Sequence, residues 1–228
     1  MAKTEKSKTA GMFESKFSAL ISRHKWLLVI IGIVLVVALI ASWIGISAAE
    51  KKADQRQLAL NVAEDTYHRW AALEDKSSSE AVAQQQEITT ELQALAQRKG
   101  SSYPTVKAQY LLGLMAFEQK DYQQALQYFE TIVHNGKSTY LSSLALFNAA
   151  VVHEELGDED AALEQYQTIY DTWGTEGAES AKALFNVARI QEERGNLDLA
   201  KALFQQLADD FPASEYAKLA QTKVVVLP

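Results

Sequence analysis

Three times in this chain a small residue is followed twelve positions later by an alanine, then by an aromatic four residues on and an aliphatic three beyond that. The sets are Gly113/Ala125/Phe129/Ile132, Ala150/Ala162/Tyr166/Ile169 and Ala188/Ala200/Phe204/Leu207. The alanines lie 37 and 38 residues apart, a period of helical solenoid repeats and far too long for a heptad. Antiparallel helices approach closely only where the facing side chains are small, so the pair twelve apart predicts a contact between two helices of one unit. The aromatic and aliphatic positions then face the next helix.

The turn between the helices has its own chemistry. Glu155-Leu156-Gly157-Asp158 and Glu193-Arg194-Gly195-Asn196 place glycine where a helix ends in the left-handed conformation, and Asp or Asn where the next helix needs a cap. The first unit reads Gln119-Lys120-Asp121, so its turn is expected to be the strained one. These columns resemble the tetratricopeptide repeat, over roughly residues 104–212. The closing proline of that family is clear only at Pro212; His134-Asn135-Gly136 and Thr172-Trp173-Gly174 stand in its place earlier. The alternative is a non-repeating helical bundle, which agreement of four columns in three copies argues against.

The second constraint is Trp26 to Ile46, 21 residues without a charge. At about 1.5 Å per helical residue they cover the roughly 30 Å hydrocarbon core. Trp26 and Trp43 fall near the ends, where indole rings favour the interface. A cleavable signal peptide is the competing reading, with Ser47-Ala48-Ala49 as cleavage site. The apolar run is longer than the usual h-region of roughly 7–15 residues, which favours an uncleaved anchor. Six basic residues against two acidic ones give residues 1–49 a charge of +4; with −7 for the whole chain, residues 50–228 carry −11. Such a bias predicts an N-terminus in the cytoplasm and an acidic domain on the other side. A single span followed by tetratricopeptide-like repeats resembles a bacterial envelope protein, which implies a single-pass inner-membrane protein with that domain in the periplasm. An acidic domain lacks the basic face that nucleic acid requires.

Seven segments are therefore expected. Residues 1–25 form a basic tail, disordered over 1–10, for which an amphipathic helix over 11–24 and a frayed segment are both open; 26–47 cross the membrane. Residues 48–103 form a helical hairpin that extends the membrane helix outward, with Leu58, Val62, Trp70 and Leu73 apolar at helical intervals, a break at Ser77–Ser79 with Ser79 as cap, and Ile88, Leu92 and Leu95 inward on the second helix. Ala71 and Ala83 make it at best a degenerate leading repeat. Repeats follow at 104–140, 141–178 and 179–212, then a capping helix over 213–226, in which Tyr216, Leu219, Ala220 and Lys223 cover the last apolar face. The fold class is all-α: one N-terminal transmembrane helix, a leading hairpin, an α-α solenoid of about three helix pairs, and a C-terminal cap.

Catalytic, cofactor and metal sites are not expected. The four histidines are scattered and form no i, i+4 ligand pair, and Asp158-Glu159-Asp160 sits at a helix start, where acids favour the dipole. No phosphate loop or nucleophile elbow stands out. With no cysteine there is neither a disulfide nor a lipid-attachment site. The family resemblance implies instead a groove lined by the first helix of each unit. Unit one contributes Lys107, Tyr110, Leu114, Phe117 and Glu118; unit two Leu144, Phe147, Val151, Glu154 and Glu155; unit three Lys182, Phe185, Arg189, Glu192 and Glu193. Asn148 and Asn186 occupy one column of the family's carboxylate clamp, but Tyr110 replaces its lysine. Aromatic anchors above an acidic rim predict recognition of apolar or basic segments of protein partners in the periplasm or inner membrane, and no small-molecule substrate. The layout resembles the ancillary tetratricopeptide subunit of the bacterial Sec translocon, which implies a membrane-anchored scaffold or chaperone-like adaptor. A structural subunit of a division, cell-wall or flagellar-motor assembly is the alternative, an unrecognised enzyme the alternative of another class. Three units bury little core, so a homo-oligomer stays open.

Overall fold

The structure is a computed structural model. It describes residues 2–98, 100–135 and 140–228, the side chains of residues 2–25 and of Leu28 excepted. Among the described residues it is helical throughout: α1 (Ala2–Ala71), α2 (Ser79–Ala96), α3 (Tyr103–Glu118), α4 (Tyr122–Asn135), α5 (Tyr140–Glu155), α6 (Glu159–Trp173), α7 (Ser180–Glu193), α8 (Leu197–Asp210) and α9 (Glu215–Val226), with one 3-10 turn at Gly174–Glu176. The chain divides into two compact units, residues 1–55 and 56–228.

The first unit is helix. Residues 2–10 are helical, against the expectation of disorder; extending an existing helix costs far less than starting one. The amphipathic face expected over 11–24 lies outside the described side chains. The part of α1 that starts at Val29 holds an apolar window long enough to cross a membrane, with none of that window buried. Trp26 and Trp43 stand out from it, both exposed.

The second unit is an array. α3/α4, α5/α6 and α7/α8 are antiparallel pairs in which each helix packs on its chain neighbour, and four overlapping apolar clusters run from one pair into the next. The first helix of each pair is called A and the second B. The small column does what close packing requires. A Cβ on Gly113 would lie 2.6 Å from the Phe129 ring, so unit one needs glycine, whereas Ala150 and Ala188 fit opposite Tyr166 and Phe204.

All three A–B turns close in the same way. Asp121, Asp158 and Asn196 donate their N–H to the carbonyls of Ala116, His153 and Gln191, while the residue before each bonds Phe117, Glu154 and Glu192. This is the Schellman closure, which needs a left-handed residue: Gly157 at φ 77°, Gly195 at φ 78° and Lys120 at φ 60°. Lys120 is the non-glycine residue at positive φ among the described residues, at the turn where the sequence anticipated strain. Asp121 and Asp158 also cap the B helix, accepting from Gln124 and Ala161 at 3.2 Å each. Asn196 does not; its amide donates to Gln191 Oε1 at 2.8 Å.

The leading hairpin is in a different register from the expected one. Leu60, Ala63, Tyr67 and Trp70 are buried on α1, whereas Leu58 and Val62 are exposed. On α2 the small buried residue is Ala81, not Ala83, and the cap is Ser78, whose hydroxyl accepts from the Ala81 N–H, not Ser79. Ala81 and Ile88 are then spaced as Ala162 and Ile169 are, but a longer turn at 72–78 sets Ala81 eighteen residues from Ala63. At the other end α9 buries Ala217 and Ala220, while Leu219 stays exposed. Leu227 folds back into the last cluster, and Lys201 Nζ holds the carbonyls of Leu227 and Pro228 at 2.8 and 3.0 Å.

Lys120→Gly removes a left-handed side chain that costs roughly 1–2 kcal/mol, less the entropy glycine adds to the unfolded chain. Urea denaturation is expected to show a gain of about 0.5–1 kcal/mol.

Candidate functional site

One face of the array belongs to the A helices. The backbones of α3 and α5, and of α7 and α9, come closer than those of α4 and α6 or α6 and α8 among the described residues, and Arg189–Glu154 joins α7 to α5; α6 and α8 meet through the Tyr170 hydroxyl, which bonds Asp210 at 2.7 Å and Gln206 at 2.9 Å. The array therefore curves with its A helices inside. The inner face is longer than three units. Ala108, Ala145, Ala183 and Ala220 recur at intervals of 37, 38 and 37 and are all fully buried, which makes α9 a fourth A helix in register. The end of α1 joins it through Glu64 and Tyr67, which face α3. The Ala108 column was the signal for α9 in the sequence; the longer turn at 72–78 hid α1.

The aromatic residues expected as anchors are mainly structural. In every unit the A-helix ring packs on the B-helix ring: Tyr110 on Phe129, Phe147 on Tyr166 and Phe185 on Phe204, with centroids 5.9, 5.2 and 5.5 Å apart. Tyr110 and Phe147 are buried as a result, and Phe185 is further covered by Tyr216. Phe117 packs on Tyr122 beside the turn. Lys182 Nζ sits 3.9 Å from the centre of the Phe147 ring, and Lys107 lies over Tyr110.

The acidic rim is likewise engaged. Every one of its glutamates is bonded within the chain, but Glu154 and Glu193 share one guanidinium and Glu155 meets only a hydroxyl, so the rim keeps part of its negative charge. Glu118 pairs with Lys76 at 2.6 Å. Glu154 takes both the Tyr166 hydroxyl, at 2.7 Å, and the Arg189 guanidinium. Glu155 accepts from the Tyr122 hydroxyl at 2.8 Å, Glu192 from Lys223 at 2.8 and 2.9 Å, and Glu193 from Arg189 at 3.0 and 3.1 Å. The two asparagines are also satisfied, each amide donating to the carbonyl four residues back; Asn148 further donates to Tyr110 at 3.1 Å, and Asn186 accepts from Arg189 at 3.1 Å.

These bonds form a ladder along the inner face. Glu64–Lys107 ties α1 to α3 at 3.0 Å, Asn148–Tyr110 ties α5 to α3, Arg189–Glu154 ties α7 to α5, and Lys223–Glu192 ties α9 to α7. What stays open between the rungs is apolar and aromatic: Tyr140 at 64% exposure, Leu219 at 52%, and the half-buried Leu114, Leu144 and Val151.

The ladder also shapes the acid–base chemistry. Burial, assisted by the charge of Glu118 and by Tyr110, pushes the Tyr67 hydroxyl up to about 12. Burial and the bond to Glu154 raise Tyr166 as well. For Arg189 burial acts to lower the guanidinium, but the bonds and charges of Glu154 and Glu193 overcome it and hold it raised.

A tyrosine raised in the fold keeps its proton where the unfolded chain has lost it, so the stabilisation is complete below pH 10 and is lost as pH rises toward 12. The unfolding free energy is expected to fall steeply over that window, and Tyr67→Phe or Tyr166→Phe to flatten the slope. Glu154→Ala deprives a buried hydroxyl and a largely buried guanidinium of their shared acceptor and is expected to cost about 1.5–3 kcal/mol in urea denaturation. Glu118→Ala breaks an exposed pair and should cost less than about 1 kcal/mol.

Models of the tetratricopeptide repeat match residues 90–140, 144–173 and 182–214, half of the chain. No curated protein matches the sequence. Among solved structures, the nearly identical TPR-like repeats from Podosopora anserina align with a TM-score of 0.54 at 15% identity, over 75% of this chain and 83% of that one. A double mutant of MamA RS-1 aligns at 0.51 and 16% identity, over 75% and 93%. PcrH in complex with the chaperone binding region of PopB aligns at 0.47 and 18%, over 55% and 99%. At these identities the likeness is one of fold. With the three matched segments lying on the helix pairs and the 37- and 38-residue columns buried as that repeat requires, the chain belongs to the tetratricopeptide repeat family.

Proposed function

We propose that this protein is a membrane-anchored, non-enzymatic scaffold or chaperone-like adaptor of a bacterial envelope, with α1 as its anchor and the repeats in the periplasm. Protein–protein interaction is the general work of the family. The observation that carries the reading here is the inner face: five helices tied rung to rung, leaving Tyr140, Leu144, Val151 and Leu219 open between the ties. A surface fixed before binding loses little entropy on binding, and exposed tyrosine and leucine are suited to apolar, extended or helical segments. The rim glutamates already hold cations or hydroxyls of this chain, so apolar side chains of the partner segment contribute most and basic ones are secondary.

The resemblance in layout to the ancillary subunit of the Sec translocon supports partners among translocon subunits and newly exported chains. Orientation rests on the charge bias, +4 before and through the span against −11 beyond it.

A photo-crosslinking residue at Tyr140 or Leu219 in intact membranes is expected to capture translocon subunits or exported chains, identified by mass spectrometry, whereas one at Glu130 on the outside of α4 captures neither. Capture of one fixed stoichiometric neighbour would favour the structural-subunit reading instead, and equal capture from Glu130 would remove the inner face from consideration. In spheroplasts, external protease should digest residues 50–228; full protection would reverse the orientation.

A further inference from the structure

The repeat provides an internal control for what packing alone requires, and one place on the outer face departs from it. Between α6 and α8 lies an open cleft of about 350 Å³, walled by Leu163, Leu199 and Leu203, with Val187 of α7 at its floor. One unit earlier the corresponding positions are Leu126, Ala161, Gln165 and Ala149. Two walls have thus become leucine while the core columns on either side are unchanged. The core does not demand the outer one: Leu199 is 49% exposed and belongs to none of the apolar clusters.

The rim narrows the class of occupant. Asp160 and Glu164 line the cleft with Gln167 and Gln191, and no cation lines it. Asp160 meets Arg194 at 2.8 Å yet remains 90% exposed, and Glu164 is exposed. No buried charged group is present to orient a small polar ligand, and the acid rim repels anionic lipid. A second copy would bring the same acidic rim from a domain of charge −11. The volume is at the lower end of the roughly 300–1,000 Å³ of ligand sites, room for a pair of aliphatic side chains.

We propose that this outer cleft receives a basic amphipathic helix of a protein partner. Leucine-sized side chains one helical turn apart enter between α6 and α8, and lysine or arginine on the flanks meets Asp160 and Glu164. The site uses no inner-face residue, so it stands or falls separately from the inner-face reading.

The chain has no cysteine, so a single introduced thiol reports from one place. The full chain in phosphatidylcholine nanodiscs carries acrylodan either at Gln167→Cys on the rim or at Glu130→Cys, the same position one unit earlier. Each is titrated with a synthetic 18-residue helix bearing a leucine stripe and a lysine face. A saturable blue shift is expected at position 167 and not at 130. It should weaken about tenfold with Leu199→Ala, which restores the residue of the preceding unit, and severalfold in 0.5 M salt. The same helix with glutamate for lysine should not bind. An equal shift at 130, no saturable shift at either position, equal affinity for the glutamate helix, or affinity unaffected by Leu199→Ala would each overturn the proposal. So would efficient disulfide formation between two copies of the unlabelled Gln167→Cys variant that the lysine helix does not displace, since the cleft would then be a self-interface.

Discussion

The seating of a B-helix aromatic ring against a small residue on its own A helix is the contact on which the rest of the array depends. At Gly113 even a methyl group would intrude on Phe129. Bringing two helices this close leaves their polar ends little room, and the three-residue Schellman turn supplies the answer: one residue closes the A helix through its N–H and begins the B helix. Short turn, small column and ring-on-ring contact are thus one constraint seen at three places. The hairpin at 56–96 shows what happens when it is relaxed. Its turn is longer, Gln85 stands where the B-helix aromatic would be, and the large buried ring, Trp70, is on the opposite helix.

Packing between units follows from packing within them. Once each A helix is fixed on its B helix, consecutive A helices come within reach of one another on the inside of the curve, and long polar side chains bridge the remaining distance. A single exposed pair of this type contributes little, commonly less than about 1 kcal/mol. Here the rungs lie across every step of the curve, and the Glu154 rung combines a buried tyrosine with a guanidinium that two carboxylates hold. Their effect is on shape more than on total stability, since a change of curvature must break a rung.

The three units were legible because four columns agree across copies, and the strain at Lys120 was legible because glycine occupies the matching place twice. The hairpin register was not, because an interval of twelve presupposes a short turn; Ala71/Ala83 satisfied the interval while Ala63/Ala81 satisfied the packing. The groove was legible as a face but not as a chemistry. A column shows which way Phe147 or Tyr110 points, not that a B-helix ring already covers it. Nor does the sequence show that Glu154 meets Arg189, or Glu192 meets Lys223: the partners are 35 and 31 residues apart, and their meeting depends on how far each unit is rotated from the last.

Repetition then gives a rule for where function can be written in such a chain. Positions that hold the helices together are bound to their column, as Ala108, Ala145, Ala183 and Ala220 are. Positions on the inner face are half bound, since one side chain must reach its neighbour but the gaps between rungs are free to vary, and Tyr140 and Leu219 occupy such gaps. Outside, neighbouring B helices meet at few points, as where the Tyr170 hydroxyl of α6 bonds Asp210 and Gln206 of α8, so a large exposed apolar residue away from those points reflects neither core nor ladder. Leu199 is a residue of that kind, and the wall it shares with Leu203 is alanine and glutamine one unit earlier, at Ala161 and Gln165. A half-exposed leucine at a position where the fold accepts alanine costs solubility without adding to the core, and a cost of that sort is most simply offset by a second protein surface.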